Sequence, residues 1–315
     1  MYSTDKETLL KWLKECVGEG YELWAVKDNK FERSEPEEVS FNADYENTIV
    51  PPKEIVFPQW ESLMEFNGSE VEPTVPEKKK KLVFGIRPCD ARAIKMLDKV
   101  FEEGYNDPYY SSRKADTVLV VLACNEYCEE GFCNAVGSNP HDPSGADIMV
   151  FQVDEDKFVV DFVSEKGKEL LSDDFSVDEQ QPERPGPSYE KDLENADQWL
   201  SGKFTSEKWE KFARPCISCG ICTFLCPTCH CFDIADTKQC RIRTWDSCQF
   251  PEFTVHTSSH NPRSDKKQRL RNRVLHKFLY FKQRNNEIAC VGCGRCVRLC
   301  PEGIDIREIV ESMEE

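Results

Sequence analysis

The sequence predicts an α/β domain followed by a mostly α, cysteine-rich domain. Three observations carry this. In the first half, short apolar β-branched runs alternate with amphipathic helical stretches. An acidic, proline-bearing break follows at 172–197. Beyond it, cysteine dominates the chain. At 315 residues the length suits two domains. We draw them as 1–171 and 198–315, with 172–197 as a linker.

The elements follow in order. Lys6 to Val17 has a helical period, with Leu9, Leu10, Leu13 and Val17 on one side. Tyr21 to Val26 reads as a strand. Leu82 to Ile86 is a short apolar run, and Asp90 to Phe101 then turns helical through Ile94, Leu97 and Phe101. Thr117 to Ala123 is continuous and β-branched, as buried strands are. Asp147 to Val153 and Lys157 to Val163 flank three acidic residues and read as a hairpin. This order predicts an open sheet with helices on it. The 172–197 segment has nine acids and three prolines and predicts a solvated connection. Thr205 is the expected N-cap of a short helix through Trp209 and Phe212. Ser264 is the expected N-cap of a longer helix ending at Arg284, with Leu270, Val274, Phe278 and Phe281 on its apolar face.

Composition narrows the function classes. The chain has 17 cysteines and a net charge of −17. It is long enough to bury a core without disulfide staples. Its first residues lack the apolar stretch of an export signal, and its longest apolar run, Val118 to Cys124, cannot span a bilayer. An odd cysteine count then predicts a reducing cytoplasm and thiolate ligands. The acidic balance argues against a nucleic-acid partner.

One motif occurs twice. Cys216, Cys219, Cys222 and Cys226 stand in CISCGICTFLCP, and Cys290, Cys293, Cys296 and Cys300 stand in CVGCGRCVRLCP. Both are C-x2-C-x2-C-x3-C-P, the run that binds [4Fe–4S] clusters in bacterial two-cluster ferredoxins. Two-residue gaps let three thiolates wrap one face of a cubane. The fourth cysteine points away, ahead of a proline, and ligates the other cluster. Cys216, Cys219, Cys222 and Cys300 are thus expected at one cluster, and Cys290, Cys293, Cys296 and Cys226 at the second. Gly220 and Gly294 are expected to let the backbone approach the iron. Zinc, which prefers separated C-x2-C pairs, is disfavoured. The 63 residues between the copies favour a helical ferredoxin domain over the compact β type.

A third set lies in the α/β half. Cys89 follows one predicted strand, and Cys124, Cys128 and Cys133 follow another. Ligands gather at the carboxyl ends of strands in open α/β sheets. A third [4Fe–4S] cluster is the expected reading, with a four-cysteine zinc site or unligated thiols as alternatives. Cys16 reads as a helix core residue.

The segments FGIRPCDARAIKMLDKVF, DPYYSSRKADTVLVVLACNEYCEEGFCNAVGSNP, CPTCHCFDI and RIRTWDSC, with the paired motifs, carry a resemblance. From Leu82 to Arg307 the chain resembles the beta subunit of cytoplasmic NiFe sulfhydrogenases and the A subunit of anaerobic sulfite reductases. Related subunits accompany flavin oxidoreductases coupled to heterodisulfide reductase. The resemblance implies an iron–sulfur electron-transfer subunit with no catalytic residue of its own. It implies FAD on a neighbouring flavoprotein subunit that exchanges hydride with NAD(P)H. Electrons would pass to a hydrogenase, sulfite reductase or heterodisulfide reductase partner. The competing class is a structural or redox-sensing iron–sulfur protein. A further rival is a catalytic subunit that binds sulfite or sulfide at the third cluster.

Two features are left over. Cys229, Cys231, Cys240 and Cys248 could ligate another cluster or metal, with His230; the expected role is packing around the cluster bound through Cys226. Arg263 to Arg284 holds nine basic residues and one acid. Such a basic helix beside the motifs is read as compensating cluster charge or docking a partner, rather than as a solvated face.

Overall fold

The computed structural model describes residues 1–178 and 182–314 and divides into two compact units. The first comprises residues 1–57, 75–128 and 138–188; the second comprises 58–74, 129–137 and 189–315. The division is therefore not a single cut. Two pieces of the first half belong with the cysteine-rich half. Among the described residues the strands are β1 (Tyr2–Asp5), β2 (Glu22–Lys27), β3 (Lys30–Arg33), β4 (Trp60–Asn67), β5 (Glu70–Pro73), β6 (Lys81–Ile86), β7 (Thr117–Leu122), β8 (Ile148–Gln152), β9 (Lys157–Phe162), β10 (Ser176–Val177), β11 (Phe232–Asp236) and β12 (Cys240–Trp245).

The first unit is built on an eight-stranded sheet ordered β10-β1-β9-β8-β7-β6-β2-β3. Its centre, β2-β6-β7-β8, is parallel, and its flanks are antiparallel. All six residues of β7 are buried, so this strand reads as a continuous apolar run. β8 and β9 form the predicted hairpin. The Lys6–Gly18 helix is capped by the Asp5 carboxylate, which accepts from the Thr8 amide, and buries Leu9, Trp12, Leu13 and Cys16 on the sheet. Cys16 is a core residue as expected, its thiol pushed up to about 12 by burial.

The linker expectation needs correction on both sides of Glu179–Gln181, which lie outside the described residues. Ser176 and Val177 pair with β1, and Leu193 and Ala196 are fully buried in the second unit. Acidic composition does not prevent the few apolar residues in such a run from docking.

The second unit is helical around the cysteine motifs but also holds a four-stranded antiparallel sheet, β11-β12-β4-β5. This corrects the expectation of a mostly α domain. Strands β4 and β5 are distant in sequence, and their pattern is too polar to announce a core face. Besides their backbone ladder, β4 and β12 share a buried ion pair: Arg243 Nε donates to Glu61 Oε1 at 2.8 Å, and both residues are about 3 % exposed. Glu61→Ala should destabilise the chain by about 3–5 kcal/mol, because a buried guanidinium loses its counter-charge. A denaturant titration checks this; a change below 1 kcal/mol would mean water already solvates the pair.

Two N-caps differ from expectation. Asp265, not Ser264, caps the long helix, accepting from Lys267 N while Gln268 closes a capping box. The short Lys208–Ala213 helix starts after Glu207, without Thr205. The long helix is also not uniform: Lys266–Leu275 is α, His276–Tyr280 is a π-helical turn, and Phe281–Asn285 is α again. Such turns occur often at functional sites.

Candidate metal centre

The two motifs fold alike. In each, a glycine in left-handed conformation (Gly220, φ +79°; Gly294, φ +75°) opens a one-turn helix, Ile221–Phe224 or Arg295–Arg298, and the two short helices pack together. Both glycines are packed closely against protein. A Cβ on Gly220 would fall 2.8 Å from Phe250, and one on Gly294 would fall 2.8 Å from the Glu130 carbonyl. The position before the second cysteine is also left-handed in both copies: Ser218 at φ +58° and Gly292 at φ +64°. They differ in space. A Cβ on Gly292 would lie 2.5 Å from the backbone of Phe132 and Cys133, whereas Ser218 has room and its hydroxyl accepts from Arg269. Gly292→Ala should cost about 2–4 kcal/mol from left-handed strain and overpacking. Ser218→Gly should be within 1 kcal/mol of the parent. Thermal unfolding of both variants checks this, and equal stabilities would refute it.

Cys216, Cys219, Cys222 and Cys300 line one pocket together with Cys296, Arg273 and the apolar side chains of Ile217, Leu270, Val274, Ile306 and Ile309. Two cysteines of the second motif, Cys296 and Cys300, thus stand on the wall of the pocket lined by the first motif. Backbone amides are turned to sulfur: Ser218 N to Cys216 Sγ at 3.4 Å and Ile304 N to Cys300 Sγ at 3.3 Å. An apolar chamber with thiols on its wall and amide donors aimed at them fits a [4Fe–4S] cluster.

Cys226, Cys290, Cys293 and Cys296 form the second group, close enough for their charges to interact. Burial pushes the Cys290 thiol up to about 11, and it raises Cys296 further. Cys226 goes the other way: a hydrogen bond from Cys229, then Lys277 and Arg273, hold it well below the usual thiol range. Lys277 Nζ donates to Cys226 Sγ (3.2 Å), Thr228 Oγ1 (2.8 Å) and the Ala289 carbonyl (3.0 Å). Arg273 donates to the Cys222 carbonyl at 2.7 Å and reaches Cys229 Sγ at 4.0 Å. Both cations are buried, and burial opposes their charge; the cysteine sulfurs around them, Cys222 and Cys229 first for Arg273 and Cys226 first for Lys277, outweigh it. Part of the basic helix is therefore an interior counter-charge, while Lys267 and Lys282 make exposed or part-exposed ion pairs. Sequence spacing alone could not separate these faces.

The third predicted set is divided. Cys89 and Cys124 follow the adjacent parallel strands β6 and β7, as expected, and both lie near Tyr45. Arg87 organises this end of the sheet, donating to the carbonyls of Leu122, Ala123 and Ala43. Burial raises the Cys124 thiol, against the pull of Arg87. Cys128 is in the first unit, and Cys133 belongs to the second. Among the extra cysteines, Cys229, Cys231 and Cys248 line a common pocket that Cys240, on β12 beside Thr237, does not reach. Among the described residues, no three His, Cys, Asp or Glu side chains converge as a single metal ion requires.

Paired thiol-walled sites with buried counter-cations define an iron–sulfur protein of the electron-carrying class. A family model described as a 4Fe-4S dicluster domain matches residues 215–304. The chain is 32 % identical over 292 residues to the beta subunit of sulfhydrogenase 2 from Pyrococcus furiosus, covering 86 % of this chain and 85 % of the relative. It belongs to the sulfhydrogenase beta-subunit family, and is an iron–sulfur electron-transfer subunit of an oxidoreductase complex. No solved structure matches it. No helix among the described residues is long and apolar enough to cross a membrane.

Proposed function

We propose that this chain relays single electrons in the cytoplasm between an NAD(P)H-linked flavoprotein subunit carrying FAD and a catalytic partner of hydrogenase, sulfite reductase or heterodisulfide reductase type. The observation that carries the reading is Cys300 on the wall of the pocket built by Cys216, Cys219 and Cys222. A crossed pair of sites is the dicluster arrangement of an electron conductor. Cys216, Cys219, Cys222 and Cys300 would hold one [4Fe–4S] cluster, and Cys290, Cys293, Cys296 and Cys226 the other, in a helical ferredoxin arrangement. Such clusters supply one-electron redox chemistry at potentials set by their surroundings. The chain's own residues do the rest. Leu270, Val274 and Ile309 give the first chamber an apolar wall, and Arg273, on that same wall and near Cys222, Cys229, Cys296 and Cys226, opposes negative charge there. The relative's name places it in a sulfhydrogenase, which favours a hydrogenase-type partner.

The test is anaerobic reconstitution of the full chain, followed by dithionite titration with EPR detection. Two reducible cubane clusters are expected. If neither can be reduced, the chain is a structural or sensing protein instead.

A further inference from the structure

Cys231 and Cys248 stand side by side in the second unit, and the fold builds the pair. Strands β11 and β12 meet on the register pair Phe232–Trp245, and the Asp246 amide donates to the Cys231 carbonyl at 3.0 Å. That bond extends the ladder one step past the hairpin and holds Cys231 against the turn that carries Cys248. The two side chains are in hydrogen-bond contact. Gln249, 1 % exposed, fixes the turn: its Nε2 donates to the Arg269 carbonyl at 3.1 Å and to Cys248 Sγ at 3.5 Å. Both cysteines are thiols in this structure.

Neither a cluster nor a single ion accounts for the pair. The cavity that Cys231 and Cys248 line with Cys229 has room for about one water. No three His, Cys, Asp or Glu side chains among the described residues converge there as an ion requires. What the two sulfurs meet is each other. Sulfurs already in contact reach bonding distance by side-chain rotation, while the hairpin holds the backbones in place. Their exposure differs: Cys248 is 7 % exposed, whereas Cys231 is partly open to solvent. Thiol–disulfide exchange asks for this asymmetry, with one sulfur that an incoming disulfide can reach and a second beside it to finish the exchange.

We propose that Cys231 and Cys248 are a dithiol–disulfide redox couple whose oxidant is a low-molecular-weight disulfide. Cys231 gives its proton to solvent and attacks the small disulfide. The S–S bond of that molecule breaks, a mixed disulfide forms on Cys231, and one small thiol leaves. Cys248 then loses its proton and attacks the Cys231 sulfur, which releases the second small thiol and joins the two cysteines. Two electrons pass from the chain to the small disulfide, and excess small thiol reverses both steps. This gives the two residues a role beyond packing. Cys240, on β12 beside Thr237, takes no part.

The full chain is prepared anaerobically and equilibrated with glutathione buffers of rising oxidised fraction. After an acid quench, free thiols are alkylated in denaturant and the digested chain is read by mass spectrometry. A peptide linked through Cys231 and Cys248 is expected, rising with the oxidised fraction and lost again in excess reduced glutathione. C248S should trap one glutathione on Cys231, and C231S should leave the buried Cys248 largely unmodified. C240S should leave the link unchanged. The readout names the residues joined, so it stands whether or not the paired motifs hold iron. No Cys231–Cys248 link at any buffer ratio, or a Cys229–Cys231 link in its place, overturns the proposal. If a serine variant does not fold, the native chain decides alone: separate glutathione adducts on Cys231 and Cys248, without the link, overturn it as well.

Discussion

Replacing Cys300 with serine is expected to empty the site walled by Cys216, Cys219 and Cys222, although Cys300 lies in the other motif. The loss should be about four irons per chain. Double variants expose the pairing, because groups serving one site are not additive. C300S/C219S should lose no more iron than C300S alone. C300S/C293S should lose about eight, since Cys293 belongs with Cys226, Cys290 and Cys296. The reverse pattern, with C300S/C293S no worse than C300S, would mean that each motif closes on its own cluster. The crossed assignment would then be wrong.

Lys277→Met should lower the midpoint potential of the cluster bound through Cys226. The Nζ–Sγ contact of 3.2 Å places a buried positive charge on the sulfur proposed to ligate that cluster. Adding an electron makes the cluster more negative, so the cation favours the reduced state and its loss disfavours reduction. A hydrogen bond to a charged group is worth about 1.5–3 kcal/mol, or about 60–130 mV for one electron. Methionine keeps most of the volume. A redox titration followed by EPR reads the shift, and the potential of the Cys216 site serves as internal reference. An unchanged potential would show that solvent or another cation supplies the compensation. The pH dependence has a definite sign. The Lys277 pKa is raised in the folded chain, against burial, by Cys226 and Cys229. Lys277 therefore stays protonated throughout the range below the ordinary lysine value of about 10.4. The difference between parent and variant should stay constant from neutral pH to about 10.

The elements legible in the sequence were those whose signal is local. β7 is a run of buried β-branched and leucine residues, and any partner strand would bury it. The Lys6–Gly18 helix shows its apolar side by period alone. Strands β4, β5, β11 and β12 show no clear signal in the sequence because β5 and β11 are exposed along their length and the β4–β12 pairing that joins the two hairpins is long-range. The cap falls at Asp265 rather than Ser264 because both residue types favour caps and only the Asp265 carboxylate reaches the Lys267 amide.

The sequence by itself determined the chemistry of the paired site. Cysteine spacing is local geometry: C-x2-C-x2-C on a left-handed glycine turn shapes a thiolate face before any tertiary contact exists. It also determined that Cys89 and Cys124 end neighbouring parallel strands. Tertiary structure decided the rest. It put Arg273 and Lys277 inside, among thiols, instead of on a solvated face. It gathered Cys229, Cys231 and Cys248 at the base of a hairpin while leaving Cys240 outside. The reason is physical. A cation's role depends on which charges face it at a few ångströms, and residues tens of positions apart become neighbours only when the core closes.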